Sequence, residues 1–506
     1  MPFLYDWFTH HRLVWPSLSC RWGPILERHD YKHKQRMYLS EQTDGSANSP
    51  NTLHVVTVDV IQKRVAAAEH MMFNEEDRSA FVKRTKTIVH PGEVNKIREF
   101  EASPNFIVTH TDAPELFLWN VDTQEGNKVS AKHNAAAAAA AAAAGVVGEG
   151  DRPVEPAKAS PRRSKPDLVL VGHEENAAQF ALAVHRESFH VISGGKDGHV
   201  LLWDVADHDG GSIWKVPGSR PGAGGSGVGV AGAGMRSGDF DDAPTLAPKM
   251  RFAGHQATVE DVSFHPTSDL QLCSVGVDSA LIFWDGRQGT GPAHRVGEAH
   301  TDDLHSVDWS VLDDNLVVTG SADTTVKLWD RRKLGADGAA CCVHTFGLHA
   351  VAITSVQWCP DQRGVFASGD DDGYLNVWDV DRIGAPQTAE QKKAGPPEIM
   401  FQHSGHRAQV TDFHWNPWDP WTMASVSSGD INTLQMWRMN DLIYRPEADA
   451  LAELEKHKAT ICGARREDPP PPDNSEATHG RDTAIEQSRD GNSGGGGGTE
   501  GDAMVQ

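Results

Sequence analysis

Apolar and polar residues alternate in pairs of short runs along much of the chain, with a turn between the two runs of each pair. The clearest copy, from Ala299 to Arg332, contains a His, an alternating run, a turn ending in Asp, a second run and a Trp-Asp pair. Alternation with a period of two predicts short strands with one buried face. The sequence therefore predicts an all-β protein built from one repeated unit.

The spacing of four residue types shows that the copies are in register. The His and Trp of each copy are 29 residues apart in His90–Trp119, His255–Trp284, His300–Trp329 and His349–Trp378, 30 apart in His173–Trp203 and 31 apart in His406–Trp437. In four copies an Asp lies six residues before the Trp (Asp197, Asp278, Asp323, Asp372), and a hydroxyl residue lies four before that Asp (Ser193, Ser274, Thr319, Ser368). Six copies are visible.

A buried His needs hydrogen-bond partners, and the recurring hydroxyl and Asp supply them. The same residue types could form a hydrolase triad, but an enzyme needs only one such set. Recurrence at constant spacing favours a structural role, so no catalysis is expected. The Trp-Asp endings resemble WD40 repeats, which form β-propellers. Strand-like runs between Ser17 and Val60 predict a seventh blade that closes the ring, with the chain ends meeting in one blade.

The remaining segments give the domain organisation. Phe3, Leu4, Trp7, Phe8 and His11 have helical spacing and predict an N-terminal helix within residues 1–16. The propeller is expected at 17–445, a charged helix at 446–462 and a disordered tail at 463–506. Disordered insertions are expected at about 126–166, which contains ten consecutive alanines, and about 208–247, which is rich in Gly.

Composition narrows the function classes. The net charge of -23 disfavours direct DNA binding and favours basic partners, although it also serves solubility. The six cysteines show no CxxC pair and no metal-ligand spacing with His, which predicts a reducing compartment and no metal or cofactor. No segment has 18 uninterrupted apolar residues, so a soluble intracellular protein without membrane contact is expected.

Several longer segments carry a more specific resemblance, among them LVWPSLSCRWGP, FNEEDRSAFVKRTKTIVHPGEVNKIREF and TLQMWRMNDLIYRPEADALAELEKHK. They resemble the histone-binding, retinoblastoma-associated WD40 proteins of the MSI/RbAp family, and most of all its plant flowering-time FVE-type branch. The resemblance implies a nuclear, non-enzymatic scaffold that binds histones H3 and H4. Such a scaffold acts in transcriptional repression within deacetylase, Polycomb-type or chromatin assembly complexes.

The resemblance also implies two histone sites. A groove on the propeller side, for a helix of histone H4, corresponds to Phe3, Trp7, Phe8, His11, Pro396, Pro397, Glu398, Phe401 and Ile443. A top-face site for the histone H3 tail corresponds to Glu93, Asn95, Glu260, Asp303 and His305. The chain departs from the family at Ala352, where an acidic residue is usual, and at Gln391–Lys393, which replace a carboxylate-rich stretch.

Two Trp-Asp-x-Arg motifs suggest an alternative function. They comprise Trp284, Asp285 and Arg287 in one copy and Trp329, Asp330 and Arg332 in the next. They resemble the box by which substrate receptors of cullin-type ubiquitin ligases dock to a DDB-type adaptor. An Arg after Trp-Asp can equally serve only to pair with neighbouring carboxylates. The alternative hypothesis is therefore a ligase substrate receptor.

Overall fold

A computed structural model describes residues 4–45, 49–63, 79–126, 164–174, 179–207, 243–334 and 342–461. Within these ranges the strands form seven sheets of four or five strands. The first strand of each sheet contacts the first strand of the next, so the sheets form a closed ring of blades. The predicted seven-bladed propeller is confirmed.

The strands follow in chain order. Strand β1 (Tyr5–Arg12) precedes blade 1, which contains β2 (Cys20–Arg28), β3 (Lys32–Glu41), β4 (Thr52–Ile61) and β5 (Val82–Val89). Blade 2 contains β6 (Lys96–Glu99), β7 (Phe106–His110), β8 (Leu116–Asn120) and β9 (Leu168–Leu170). Blade 3 contains β10 (Gln179–Val184), β11 (His190–Gly195) and β12 (His199–Asp204); β13 (Thr245–Leu246) then joins blade 2, and β14 (Met250–Ala253) completes blade 3.

The second half is more regular. Blade 4 contains β15 (Val259–His265), β16 (Ser268–Gly276), β17 (Leu281–Asp285) and β18 (Pro292–Val296). Blade 5 contains β19 (Leu304–Trp309), β20 (Leu316–Ser321), β21 (Val326–Asp330) and β22 (Cys342–Phe346). Blade 6 contains β23 (Ile353–Trp358), β24 (Val365–Asp370), β25 (Leu375–Asp379) and β26 (Ile399–His403), and blade 7 contains β27 (Val410–Trp415), β28 (Thr422–Ser427) and β29 (Thr433–Met439).

Helices are few in the described ranges. Helix α1 (Gln391–Ala394) lies in the loop before β26, and 3₁₀ turns occur at Val205–Asp207, Arg331–Lys333 and Val380–Arg382. Helix α2 (Glu447–Ile461) belongs to a separate compact unit that begins at Glu447. No described helix is long and apolar enough to cross a membrane. The tail expected to be disordered, 463–506, lies outside the described residues.

The predicted N-terminal helix within residues 1–16 is wrong. Residues Tyr5–Arg12 form β1, which pairs antiparallel with β29 as the fourth strand of blade 7. Aromatic residues and Thr favour strands, and this strand is buried on both faces, which hides the period of two. The expectation that the chain ends meet in one blade is confirmed, although the N-terminal contribution to that blade is β1.

The structure describes the C-terminal ends of both expected insertions, residues 164–166 and 243–247. Ser164 is buried, and its hydroxyl accepts a bond of 3.1 Å from the backbone N–H of Val89. Strand β13, which falls within the expected insertion 208–247, pairs parallel with β9. Residues 127–163 and 208–242, which hold the poly-alanine and Gly-rich stretches, lie outside the described residues.

The repeated His forms a hydrogen-bond chain that is complete in blades 4 and 5, whereas Trp203 of blade 3 donates to the Val171 carbonyl instead. Burial lowers the pKa of His300 to about 4, so its ring is neutral near pH 7. The Nδ1–H then donates to Asp323 (3.0 Å), and Nε2 accepts from the Thr319 hydroxyl (2.8 Å). The Thr319 oxygen in turn accepts from Trp329 Nε1 at 2.8 Å. These bonds give a partner to each ring nitrogen of the buried His and Trp, which would otherwise lack one.

In blades 6 and 7 the partner of His Nδ1 is not the residue that lies six positions before the Trp. In blade 6 the partner of His349 Nδ1 is Asp370 (2.7 Å), so the assignment of Asp372 is wrong. In blade 7 the hydroxyl of Thr433 lies 3.0 Å from His406 Nδ1. Here Asp430 lies seven residues before Trp437 instead of six, and Thr433 of β29 makes the contact.

Ring closure includes a buried arginine whose substitution tests it. Arg438 bonds to Asp6 in β1 (2.8 Å), to Asp419 (2.6 Å) and to the Ile61 carbonyl in blade 1, and its side chain is 1% exposed. Arg438→Met removes the buried guanidinium that pairs with both carboxylates and should lower the free energy of unfolding by about 3–5 kcal/mol. Urea unfolding measures this loss.

Arg363→Met is the matched control. Its guanidinium pairs with Asp313 at 2.9 Å, but the side chain is 76% exposed. A solvent-screened pair contributes about 1 kcal/mol at most. Equal losses in the two variants would contradict a special role for Arg438 in ring closure.

Candidate functional site

The residues singled out in the sequence lie in three regions of the propeller. One group lies on the rim between blades 6 and 7. The inner strands of the blades enclose a central channel; a second group lies at the end of the channel where these strands begin, and a third at the other end of the channel. Because the blades repeat by rotation, the starts of the inner strands share one face, here called the top face. The ends of the third strands share the bottom face.

The rim region is organised around one apolar cluster, here called the rim cluster. It joins Phe8 of β1 to Phe401 of β26, with Tyr5 in contact with both rings. Phe8 and Phe401 are only 5% and 6% exposed, and Ile443 packs against the cluster from outside while partly buried. The two Phe rings therefore support this surface from below, and Ile443 is accessible on it.

Three other residues expected in the groove differ in position. Trp7 is 0% exposed and belongs to the core between blades 7 and 1, because alternate residues of a strand face opposite ways. It cannot line a surface groove. His11 is half-buried, and its Nδ1 accepts a bond from the Ser79 backbone N–H at 3.0 Å. Phe3 lies outside the described residues.

The Pro-Pro loop borders a different cavity. Pro396 and Pro397 line a cleft of about 260 Å³ together with Arg382, Pro386 and Ile399, and they do not join the rim cluster. Glu398, which follows them, is buried, and its carboxylate lies 2.9 Å from His344 Nε2. Glu398 therefore anchors the loop to β22 of blade 5. Lys392 and Lys393 of α1 are exposed, so this loop presents positive charge.

Sequence reasoning missed the exposed position on this rim because the helical reading misplaced it. Leu4 is 47% exposed, and its carbonyl accepts a bond of 2.9 Å from the Asn440 backbone N–H. That bond places Leu4 beside the segment that carries Ile443. The only sequence signal for Leu4 was its place in an aromatic-rich run. Assigning this run to a strand would have given Leu4 its correct position.

The top-face residues cluster around Glu260. Burial raises the pKa of Glu260; the charges of Lys96 and His305 oppose the shift, and Asp303 adds to it. The structure thus brings Glu260, Asp303 and His305 together at the mouth of the channel. His305 Nδ1–H donates to the carbonyl of Ile353 at 2.9 Å, which fixes its ring.

Glu93 and Asn95 lie in the loop that leads into β6. The Glu93 carboxylate accepts a bond of 2.9 Å from the Gln42 side chain, and the Asn95 backbone N–H bonds to His110 at 3.0 Å. Both residues are half-buried. They precede Lys96, so they flank the same channel mouth from blade 2.

Below this mouth the channel contains a cavity of about 230 Å³ that is lined by charged residues of the inner strands. Burial raises the pKa of Glu99 to about 7, despite the opposing charges of Arg21 and Arg98. Burial also raises the pKa of Asp308 to about 7. Glu99 Oε2 has no hydrogen-bond partner among the described residues. Burial thus brings the pKa of both carboxyl groups close to neutral pH.

The two Trp-Asp-x-Arg motifs end neighbouring third strands on the bottom face. In each motif the Arg pairs with its own Asp through two bonds: Arg287 with Asp285 at 2.8 and 2.7 Å, Arg332 with Asp330 at 2.9 and 2.8 Å. The bonds from these arginines lower the pKa of both carboxyl groups.

The motif residues differ in their access to solvent. Trp284 and Trp329 are buried, whereas the Arg287 and Arg332 side chains are 58% and 63% exposed. Pairing therefore occurs within each motif, and the outer edge of each guanidinium remains open to solvent.

Within the described ranges, no group of three or more His, Cys, Asp or Glu side chains could hold a metal ion. The four described cysteines, Cys20, Cys273, Cys342 and Cys359, are free thiols.

Comparison with known proteins gives consistent matches. The family model for the histone-binding protein RBBP4, or the C subunit of the CAF1 complex, matches residues 1–62. The model for the WD domain, G-beta repeat, matches residues 164–204, 246–285, 293–330 and 340–379. The WD-40 repeat-containing protein MSI4 of Arabidopsis thaliana is 48% identical over 467 residues, which cover 91% of this chain and 84% of that protein.

The channel carboxylates give a pH prediction. Because the pKa of Asp308 is about 7 when folded and about 4 when unfolded, the folded protein binds more protons between these pH values. The free energy of unfolding therefore falls as the pH rises through this window. A side-chain amide cannot titrate, so Asp308→Asn should gain roughly 1–3 kcal/mol relative to the native chain between pH 5 and pH 8.

Chemical unfolding across that pH range measures the difference. Asp430→Asn, which changes an exposed carboxylate on the turn before β29, is the control and should leave the slope unaltered. An unchanged slope in Asp308→Asn would mean that another group causes the pH dependence.

Proposed function

Because the chain belongs to the MSI/RbAp family of histone-binding WD40 proteins, we propose that it is a non-enzymatic scaffold that binds histones H3 and H4 in the nucleus. The scaffold delivers histones to complexes that repress transcription, of the deacetylase, Polycomb-type or chromatin assembly kinds. The net charge of -23 suits a partner as basic as a histone.

The observation that carries the proposal is the histone-binding family match over residues 1–62, which include all of β1. Strand β1 is the outer strand of blade 7, and its Phe8 packs against Phe401 beneath the rim surface. We assign the histone H4 helix to this rim, where Leu4 and Ile443 present apolar side chains; Pro396 and Pro397, expected in the same groove, line a separate cleft. An amphipathic helix recognises such a surface by burying its apolar face.

The histone H3 tail is assigned to the top face. Glu260 and Asp303 offer carboxylates there, with Glu93 and Asn95 on the blade 2 side. Charge-assisted hydrogen bonds to Lys or Arg side chains are the contacts that these groups provide. Ala352 supplies no carboxylate on blade 6, so recognition is concentrated on blades 2, 4 and 5.

The ligase alternative has weaker support than the histone scaffold. The family match concerns histone binding, and the bidentate pairing of Arg287 and Arg332 with their own Asp residues is also a sufficient structural role for the motifs. Their exposed edges would still allow an adaptor of the DDB type to dock on the bottom face. That partner belongs to a second surface and does not compete with the rim.

Leu4→Asp tests the rim assignment. The side chain is exposed, so the substitution should leave the unfolding midpoint nearly unchanged, while a charge in the apolar contact should weaken binding of a histone H4 helix peptide at least about tenfold. Isothermal titration calorimetry with the peptide measures the affinity. Phe401 is unsuitable for this test because it is buried in the core, where a carboxylate would disrupt folding.

Leu26→Asp is the matched control, since Leu26 is 43% exposed on β2 of blade 1, away from the rim cluster. It should bind the peptide as the native chain does. If both variants bind equally well, the H4 helix does not use this rim.

A further inference from the structure

One ion pair crosses the mouth of the channel between blades that are not neighbours. Lys96 begins β6 in blade 2, and its Nζ lies 2.7 Å from Asp261 Oδ1 on β15 in blade 4. Blade 3 lies between them in the ring. The lysine side chain therefore extends across the opening through which a ligand on the top face would reach the channel.

The two partners are held very differently. Asp261 is buried, and its second oxygen accepts bonds of 3.0 Å from the Ser306 hydroxyl and the Val307 backbone N–H. Lys96 has a flexible side chain that is 25% exposed, and the bond to Asp261 is its one side-chain bond among the described residues. If the ammonium left, Ser306 and Val307 would still hold the carboxylate in place.

Glu260 lies next to this pair, and its carboxylate makes no hydrogen bond or ion pair with any residue in the described ranges. Its carboxylate is half-buried and is influenced by the charges of Lys96, His305, Asp261 and Asp303. The ammonium of Lys96 thus offsets two adjacent carboxylates, and its loss would leave both facing the mouth. A Lys or Arg side chain of a ligand carries the same charge and equivalent donors.

We propose that Lys96 is an internal competitor for the cationic side chain that the top face binds, and so determines the affinity and the charge selectivity of that site. The inference rests on the proposed binding of a basic histone tail at the top face. An incoming Lys or Arg exchanges with Lys96 at Asp261 and Glu260, and the displaced ammonium moves into solvent. A neutralised ligand side chain cannot make this exchange.

Lys96→Met removes the charge and keeps the length of the side chain. Asp261 then has no ammonium bonded to it and Glu260 loses the neighbouring charge of Lys96, so an unmodified H3 N-terminal peptide should bind about tenfold more tightly, which corresponds to about 1.4 kcal/mol. Lys96→Arg retains the charge and should bind close to the native level. A peptide whose Lys and Arg residues are replaced by Gln should gain nothing from Lys96→Met.

Lys32→Met is the matched control. Lys32 pairs with Asp59 at 2.7 Å with 24% side-chain exposure, almost identical to Lys96, but on β3 and β4 of blade 1. Both Met variants should lose similar stability in urea unfolding, yet only Lys96→Met should change peptide affinity. Glu260→Gln, measured in parallel, tests whether the top face binds the peptide at all.

The outcomes separate this inference from the function on which it rests. Weaker binding by Glu260→Gln together with unchanged or weaker binding by Lys96→Met overturns the competitor role and leaves the top-face site standing. Binding that neither substitution affects removes the H3 tail from the top face. Absence of binding by the native chain and by Lys96→Met overturns both, since an uncovered pair of carboxylates should attract the peptide.

Discussion

Closure of the ring is the constraint on which the rest of the molecule depends. Each blade packs against two neighbours, and an open ring would expose strand edges and two apolar sheet faces. Strand β1 closes it by pairing with β29, while Arg438 connects β1, blade 7 and the end of β4 in blade 1. The rim cluster and the channel both exist only in the closed ring, because each is built from residues of several blades.

The repeated frame could be predicted because it is local. The His, hydroxyl and Trp lie within about one blade of sequence, and each blade must satisfy the same buried polar groups. The prediction fails at Asp372 and Asp430, because in their blades the His Nδ1 has Asp370 and Thr433 as its partners. The helix expected at residues 1–16 failed for a similar reason. Burial on the two faces of β1 is decided by the neighbouring blades 6 and 1, and no period within residues 5–12 encodes it.

The candidate surfaces were less predictable than the fold. Family resemblance pointed to Phe8 and Phe401, but alternation and burial decide that they support the rim, while Leu4 and Ile443 face outward. The cross-channel pair of Lys96 and Asp261 had no sequence signal, since 165 residues separate its partners. Contacts across the ring depend on how blades are arranged, and no periodicity within one blade encodes them.

The placement of β13 affects how the chain can fold. It adds a parallel strand to blade 2, although it follows β12 of blade 3 in the sequence. Blade 2 is therefore incomplete until the first three strands of blade 3 have been synthesised. In the same way, β1 has no partner strand until β29 of blade 7 has been synthesised. During translation the nascent chain cannot finish its blades one at a time, so blades 2 and 3 should form as one cooperative unit.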